Sequence, residues 1–460
     1  MTGPTIARRR VLLAAASAAA LTACGGSGED PATATIHEFA TDHDAYFVGD
    51  SAQLRVRYSG GSGRIEPGIG PVGPTARVDT GALDRSVSYR LVVDGPGRSV
   101  SRSIVLPVSY RNRHRGIGQL QIADHATVAL DDGTVLAIGG SRAELNVLSP
   151  WIERIDPRTG VIVRAAELAT GRAQPALTRL ADGRFLLTGG EQSESIAGRM
   201  NEIVAVERDG SVRVSGTGDL ARRRIGHTAT LLADGRVLVT GGATSGEGVA
   251  GGISRSAEIW DPATGSFRML PRRMLIGRVN HTATRLPDGR VLLVGGYSAD
   301  GEGPLAEVFD PRTESFAIVA TPGLSSRALH AAVALPDGDV LILGGEHPTG
   351  TGTLASVLRY RHETGTFQPE ASLLQPRRDL RAVLTGDGAL LLFGGLGAAD
   401  TALNTAEGYT LAQGARPLAA MTDGRFGHSA VLLRGPSAGK VMLVGGWRAG
   451  WYNPTLALYE

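Results

Sequence analysis

Two kinds of side chain with ligand-binding chemistry recur along this 460-residue chain at about fifty-residue intervals. Arg172, Arg224, Arg278, Arg327, Arg378 and Arg425 form one series, and His125, His227, His281, His330 and His428 form another, lying three residues after an arginine position. A ring of guanidinium groups suits carboxylate or sulfate, because the planar fork of N–H donors matches a pair of oxygens. Repetition at equivalent positions favours a structural role, with each arginine clamping carbonyls of a neighbouring unit. A metal ring of imidazoles fails on distance: zinc holds nitrogens at about 2.0–2.1 Å, whereas packed sheets lie about 10 Å apart. Most of these histidines therefore cannot share an ion, and hydrogen bonding between units is expected instead. Trp447, Trp451 and Tyr452 share one Gly-rich loop, and Trp151, Tyr297 and His347 stand in others. Aromatic rings near arginine suit a sugar face or a protein hot spot. Trp260, inside a strand, is assigned to the core. No nucleophile elbow, phosphate loop or close set of metal ligands is present, so no catalytic residue, metal or cofactor is expected.

Composition limits what can hold these groups. The chain is 42% hydrophobic, 20% charged and 5% aromatic, which is enough apolar surface for globular domains. Its 64 glycines show no Gly-X-Y period, so they serve turns and close backbone approaches, favouring an all-β chain. The formal charge of +2 includes Arg8, Arg9 and Arg10 of an apparent leader; without them it is −1, and nucleic acid is not an expected partner. The single Cys24 excludes an intrachain disulfide, a CxxC site and a cysteine nucleophile in the body.

Gly-Gly follows an apolar run seven times, at 139, 189, 241, 295, 344, 394 and 445. Around it the text repeats: Arg224-Ile-Gly-His227-Thr-Ala-Thr, Asp234-Gly235, Val237-Leu-Val-Thr, then Ala257-Glu-Ile-Trp-Asp261-Pro-Ala-Thr-Gly-Ser-Phe267. The following copy runs Arg278-Val-Asn-His281-Thr-Ala-Thr, Asp288-Gly289, Val291-Leu-Leu-Val, Ala306-Glu-Val-Phe-Asp310. Over about residues 118–460 this resembles the kelch repeat, which implies a seven-bladed β-propeller. The residues point the same way: four short strands per repeat, the second apolar on consecutive positions, need a sheet on both sides. Ala and Thr in the first strand fit convergence at an axis. The last copy stops after its third strand, so a segment within residues 105–121 is expected to supply the fourth.

Residues 1–24 read as a lipoprotein signal peptide, with Arg8-Arg9-Arg10, an apolar core too short to span a bilayer, and Leu21-Thr22-Ala23-Cys24. That last stretch resembles a lipobox, which implies lipidation of Cys24 and attachment to the membrane through lipid only. Residues 25–34 form a flexible tether. Residues 35–110 carry period-two strands such as Ala52-Gln-Leu-Arg-Val-Arg-Tyr58, and the turn Asp94-Gly-Pro-Gly97. Gly49-Asp50 and Tyr89-x-Leu-x-Val resemble bacterial Ig-like modules, so a small Ig-like β-sandwich is expected as a spacer before the propeller of 111–460. The fold class is thus all-β: a seven-bladed kelch-type β-propeller preceded by a small Ig-like β-sandwich.

Asp-Gly turns join strands one and two in six copies, whereas the connections after Gly-Gly vary in length and text. Variable loops on a rigid frame are where recognition concentrates. The expected function is a non-enzymatic binding module of the cell envelope, periplasmic or at the surface, taking a glycan or an envelope protein. Two alternatives stand beside it: a periplasmic sugar epimerase resembling the sialic-acid mutarotases, and an envelope scaffold. Copper radical oxidases resembling galactose oxidase are excluded, because their cofactor needs a cysteine bonded to tyrosine and the propeller has none.

Overall fold

The computed structural model describes residues 33–142, 147–193, 196–244, 252–299, 306–321, 324, 326–349, 352–448 and 450–460. The leader, with Cys24, and all but the end of the tether lie outside the described residues.

Seven four-stranded antiparallel sheets follow one another. The first blade consists of Ala126–Ala129, Val135–Ile138, Trp151–Ile155 and Ile162–Glu167. The sixth consists of Arg381–Leu384, Leu390–Phe393, Ala406–Thr410 and Gly414–Pro417. Each innermost strand touches the innermost strand of the next sheet, and that of the seventh touches that of the first, so the blades close into a ring around an axis. Every second strand, such as Val291–Val294 and Leu390–Phe393, is buried along its whole length. Blades on both sides cover it, which is why these strands are apolar on successive residues. Innermost strands start on Ala126, Ala176, Thr228, Thr282, Ala331 and Ser429, small enough for the crowded axis; blade six starts on Arg381.

The paired glycines answer to a close approach. Gly295 and Gly296 both have positive φ, 64° and 92°. A Cβ on Gly295 would lie 2.0 Å from the Arg327 carbonyl oxygen of the next linker. Any side chain there would force adjacent blades apart.

The seventh blade is completed from the N-terminal side. His114–Gln119 pairs with Thr455–Tyr459, beginning with His114 opposite Tyr459. Arg113 and Lys440 both pair with the Glu460 side chain beside it. The preceding stretch belongs to the sandwich: Ser99–Leu106 pairs with Val87–Asp94. That sandwich packs a three-stranded sheet, Thr35–Ala40, Ser51–Ser59 and Thr75–Ala82, on a four-stranded one. Leu54, Val56, Ile65, Leu91 and Val93 from the two sheets share one core. It sits on the short-turn side of blade seven, where the Tyr110 hydroxyl donates to the Gly439 carbonyl at 2.6 Å and Arg111 pairs with Asp50 at 3.0 Å. The opposite face, with the variable loops and the starts of the innermost strands, is left open.

Candidate functional site

Five of the six arginines expected to offer themselves to a ligand are turned into the protein: Arg172, Arg224, Arg278, Arg327 and Arg425 are at most 3% exposed. In blade three, Arg224 donates Nη1 to the Gly241 and Ser256 carbonyls at 2.6 and 3.1 Å and Nη2 to Glu258 at 2.8 Å. Arg278 does the same with Gly295 and Glu307, and Arg172 with Met200 and Glu202. The glutamate also accepts the backbone N–H three residues before the arginine, Ala221 on Glu258 and Leu275 on Glu307, both at 2.7 Å. Each unit thus locks the incoming linker to the third strand of its own blade, not to carbonyls of a neighbouring blade. A guanidinium so deep in protein needs acceptors around it, and in Arg224 and Arg278 the glutamate and the carbonyls occupy the N–H groups that an external anion would need. Burial lowers the affinity of these arginines for protons, least opposed in Arg327 and Arg425, which fall to about 10.

Arg378 does not belong to this series. Arg377 fills the buried position of blade six, reaching the Gly394 carbonyl at 2.9 Å and Glu407 at 2.6 Å. Arg378 lies one residue further on, near the surface, paired with Glu346 at 3.2 Å and with Asp400. Two adjacent arginines made the register ambiguous, and the partner glutamate resolves it. That glutamate was visible in the repeated Ala257-Glu258 and Ala306-Glu307, a charge inside an apolar strand.

The open face converges on a ring that sequence reading missed. In each blade the residue just before the innermost strand's histidine position faces the axis, and seven such residues stand there: Asp124, Gln174, Gly226, Asn280, Leu329, Asp379 and Gly427. All seven have φ between 49° and 64°. They are linked in sequence around the axis, for example Gln174 N–H to the Asp124 carbonyl at 2.6 Å and Asp379 N–H to the Leu329 carbonyl at 2.8 Å. The ring bounds a cavity of about 320 Å³ that His125 and Arg381 also line. Arg381 replaces the small residue of the other blades, donating Nε to the His428 carbonyl at 2.7 Å and Nη1 to Asp379 at 3.0 Å. Asp124 accepts from Trp447 Nε1 at 2.8 Å. Burial pushes the Asp124 carboxyl up to about 6, against the lowering effect of that indole bond, and the nearby Asp379 adds to the rise. The signal was a position of changing residue type inside an otherwise stereotyped motif.

Three histidines bridge blades as expected: His227 Nε2 meets Thr188 at 2.9 Å, His281 meets Thr240 at 3.0 Å, and His330 meets Thr282 at 2.9 Å. His125 and His428 have Val444 and Phe393 where a threonine would stand, and both ring nitrogens of each lack a partner. Burial drives His125, His227 and His330 down to about 3, so they are neutral. Among the described residues no group of three or more His, Cys, Asp or Glu is placed to hold a metal ion.

The aromatic candidates are divided. Trp447 joins the cavity rim through Asp124 and stacks on Tyr452 at 4.2 Å in a short hairpin. Trp451, on the same hairpin, is 78% exposed. Tyr297 lies one residue beyond Gly-Gly, and its hydroxyl donates to Glu346, which binds Arg378. Burial raises that phenol well above its ordinary value, and the Glu346 bond adds to the shift. Trp151 does not reach the cavity; it is held between Arg142 and Arg164, 4.6 and 3.6 Å from its ring. His347 bonds Thr349 at 2.7 Å in its own loop. Trp260 is core, its Nε1 on Thr217 at 3.1 Å.

The chain matches no family model and no curated protein. Among solved structures it is similar to a novel fungal alcohol oxidase of the AA5 family in complex with copper, at TM-score 0.62 and 17% identity over 76% of this chain and 75% of that one. It is also similar to the structure of YjhT, at TM-score 0.48 and 14% identity over 62% of this chain and 92% of that one. The likeness is one of fold: a kelch-like, all-β propeller.

Proposed function

We propose that the propeller is a glycan-binding module of the bacterial cell envelope, held there by a lipid on Cys24, and that a sugar residue enters the axial cavity of the variable-loop face. The observation that carries this reading is the lining of that cavity. Asp379 and Asn280 can hold hydroxyl groups, Arg381 can take an anionic substituent, and Asp124 can donate or accept according to pH. The volume lies at the small end of ligand pockets, about 300–1,000 Å³, which fits one ring and not an extended chain. Trp451, exposed on the rim hairpin, offers a flat apolar face to the next sugar or to the rest of the glycan. The five buried arginines play no part in contact.

Titration calorimetry of residues 33–460 with acidic and neutral oligosaccharides tests the reading. Binding of an acidic sugar that weakens at least tenfold in Arg381→Ala supports it. A panel without heat, together with a stoichiometric envelope protein that free sugar does not displace, would replace the glycan by a protein partner.

Asp124 supports a second reading, a sugar mutarotase. A carboxyl that exchanges its proton near pH 6, two places along the ring from Asp379, has the acid–base capacity that ring opening needs. Faster anomer exchange of a freshly dissolved acidic sugar, followed by NMR and lost in Asp124→Asn, would favour the enzyme; no acceleration would leave the binding module.

A further inference from the structure

The repeats serve as internal controls for one another, and one of them lacks an atom group that the others supply. Arg172, Arg224, Arg278 and Arg377 each meet a glutamate of the third strand: Glu202, Glu258, Glu307 and Glu407. In blade five the corresponding residue is Leu358, buried and large enough to occupy the glutamate's place with carbon. In blade seven it is Ala457, opposite Leu443 just as Glu258 is opposite Val239. Among the described residues nothing else takes over the carboxylate's role there. Arg425 is fully buried and donates Nη1 to the Gly445 and Thr455 carbonyls at 3.4 and 3.0 Å. Its Nε and Nη2 have no partner. Of the buried series it alone is left with both atoms of that edge unpaired; Arg172, Arg327 and Arg377 leave Nε only. Asp423, the nearest acidic residue in sequence, is engaged with Arg448.

We propose that blade seven binds a small carboxylate, of formate or acetate size, on the Nε–Nη2 edge of Arg425, in the position of the glutamate carboxylate in four other blades. The chemistry follows from the missing group. A buried guanidinium with two adjacent N–H donors unsatisfied is strongly destabilising, and a planar carboxylate matches that pair of donors. In the other blades the same carboxylate also collects the N–H three residues before the arginine, as from Ala169, Ala221, Leu275 and Leu374. Thr422 holds that position in blade seven. Replacing Glu by Ala removes a carboxyl and one methylene, so a one- or two-carbon acid restores what the repeat lost. Larger acids do not fit, because Met421, Leu443 and Ala457 pack together around the position. This site is separate from the axial cavity and does not depend on what that cavity binds.

The test compares the full chain with Ala457→Glu, in sodium formate and in sodium chloride at equal ionic strength. Formate at ten times its dissociation constant should raise the wild-type melting temperature by about 2 °C, and leave Ala457→Glu unmoved, its own carboxylate already in place. A crystal structure of the wild type grown in formate should show a planar molecule on Arg425 Nε and Nη2. Equal responses in the two proteins, no response in either, or Asp423 turned onto Arg425 in the crystal would overturn the proposal. Density at the arginine without a thermal response would mark an adventitious ion only and count against it too. Should Ala457→Glu fail to fold, the crystal and the wild-type titration still decide.

Discussion

At the scale of single residues, the buried arginines show how a cation can be held inside a β-protein. At Arg224 the charge is tolerated because Glu258 and the Gly241 and Ser256 carbonyls surround it, the glutamate being held in turn by the Ala221 N–H. Removing one member should therefore cost more than removing a surface pair. Glu307→Ala, which strands Arg278, is expected to lower unfolding free energy by about 3–5 kcal/mol. Arg378→Ala, which removes a pair near the surface, should cost less than about 1 kcal/mol. Urea midpoints of the two variants check the ordering, and equal losses would contradict the assignment. Asp124 gives a pH prediction. Its native value of about 6 lies above the ordinary 3.8, so its contribution to stability is full below pH 4 and is lost as pH rises through 6. Asp124→Asn should therefore gain on the wild type by about 1–2 kcal/mol between pH 4 and 7, read as diverging melting curves; parallel curves would mean that the carboxyl is not shielded.

At the scale of elements, the strand His114–Gln119 does for the last blade what a fourth strand in sequence does for the other six. Without it the Thr455–Tyr459 strand would present a row of unpaired backbone groups. A chain starting at residue 111 retains the closing strand and should sediment as a monomer, whereas one starting at 121 should aggregate at the same concentration. Equal behaviour of the two truncations would show that closure lies elsewhere. The second strands set the cost of core damage. Leu392 is fully buried between two blades, and Leu392→Ala should lose about 2–5 kcal/mol in denaturant titration. The corresponding change at exposed Val163 should lose little.

At the scale of the whole molecule, the sandwich rests on the short-turn face beside blade seven, and the axial cavity opens on the opposite face. The proposed lipid attachment through the N-terminus would then hold the protein by its sandwich, on the side away from its proposed ligand. Protein coupled to a surface through its N-terminus should keep the glycan capacity it has in solution. Protein coupled through a thiol introduced by Trp451→Cys should lose it, since that residue stands on the rim hairpin. Surface plasmon resonance compares the two, and equal capacity would move the site off the open face.

The sequence by itself determined the seven repeats, the apolar second strands, the glycine pairs and the need for a borrowed closing strand. These follow from local patterns and from the requirement that every apolar strand be covered. Only the tertiary structure decided which polar residues face the axis. The motif shows that arginine, histidine and their neighbour recur, but a side chain's direction depends on where adjacent blades leave room. The turn at Asn280 and Asp379 aims the variable residue at the axis, while the arginine two residues earlier is taken inward by a glutamate some thirty residues later in the chain.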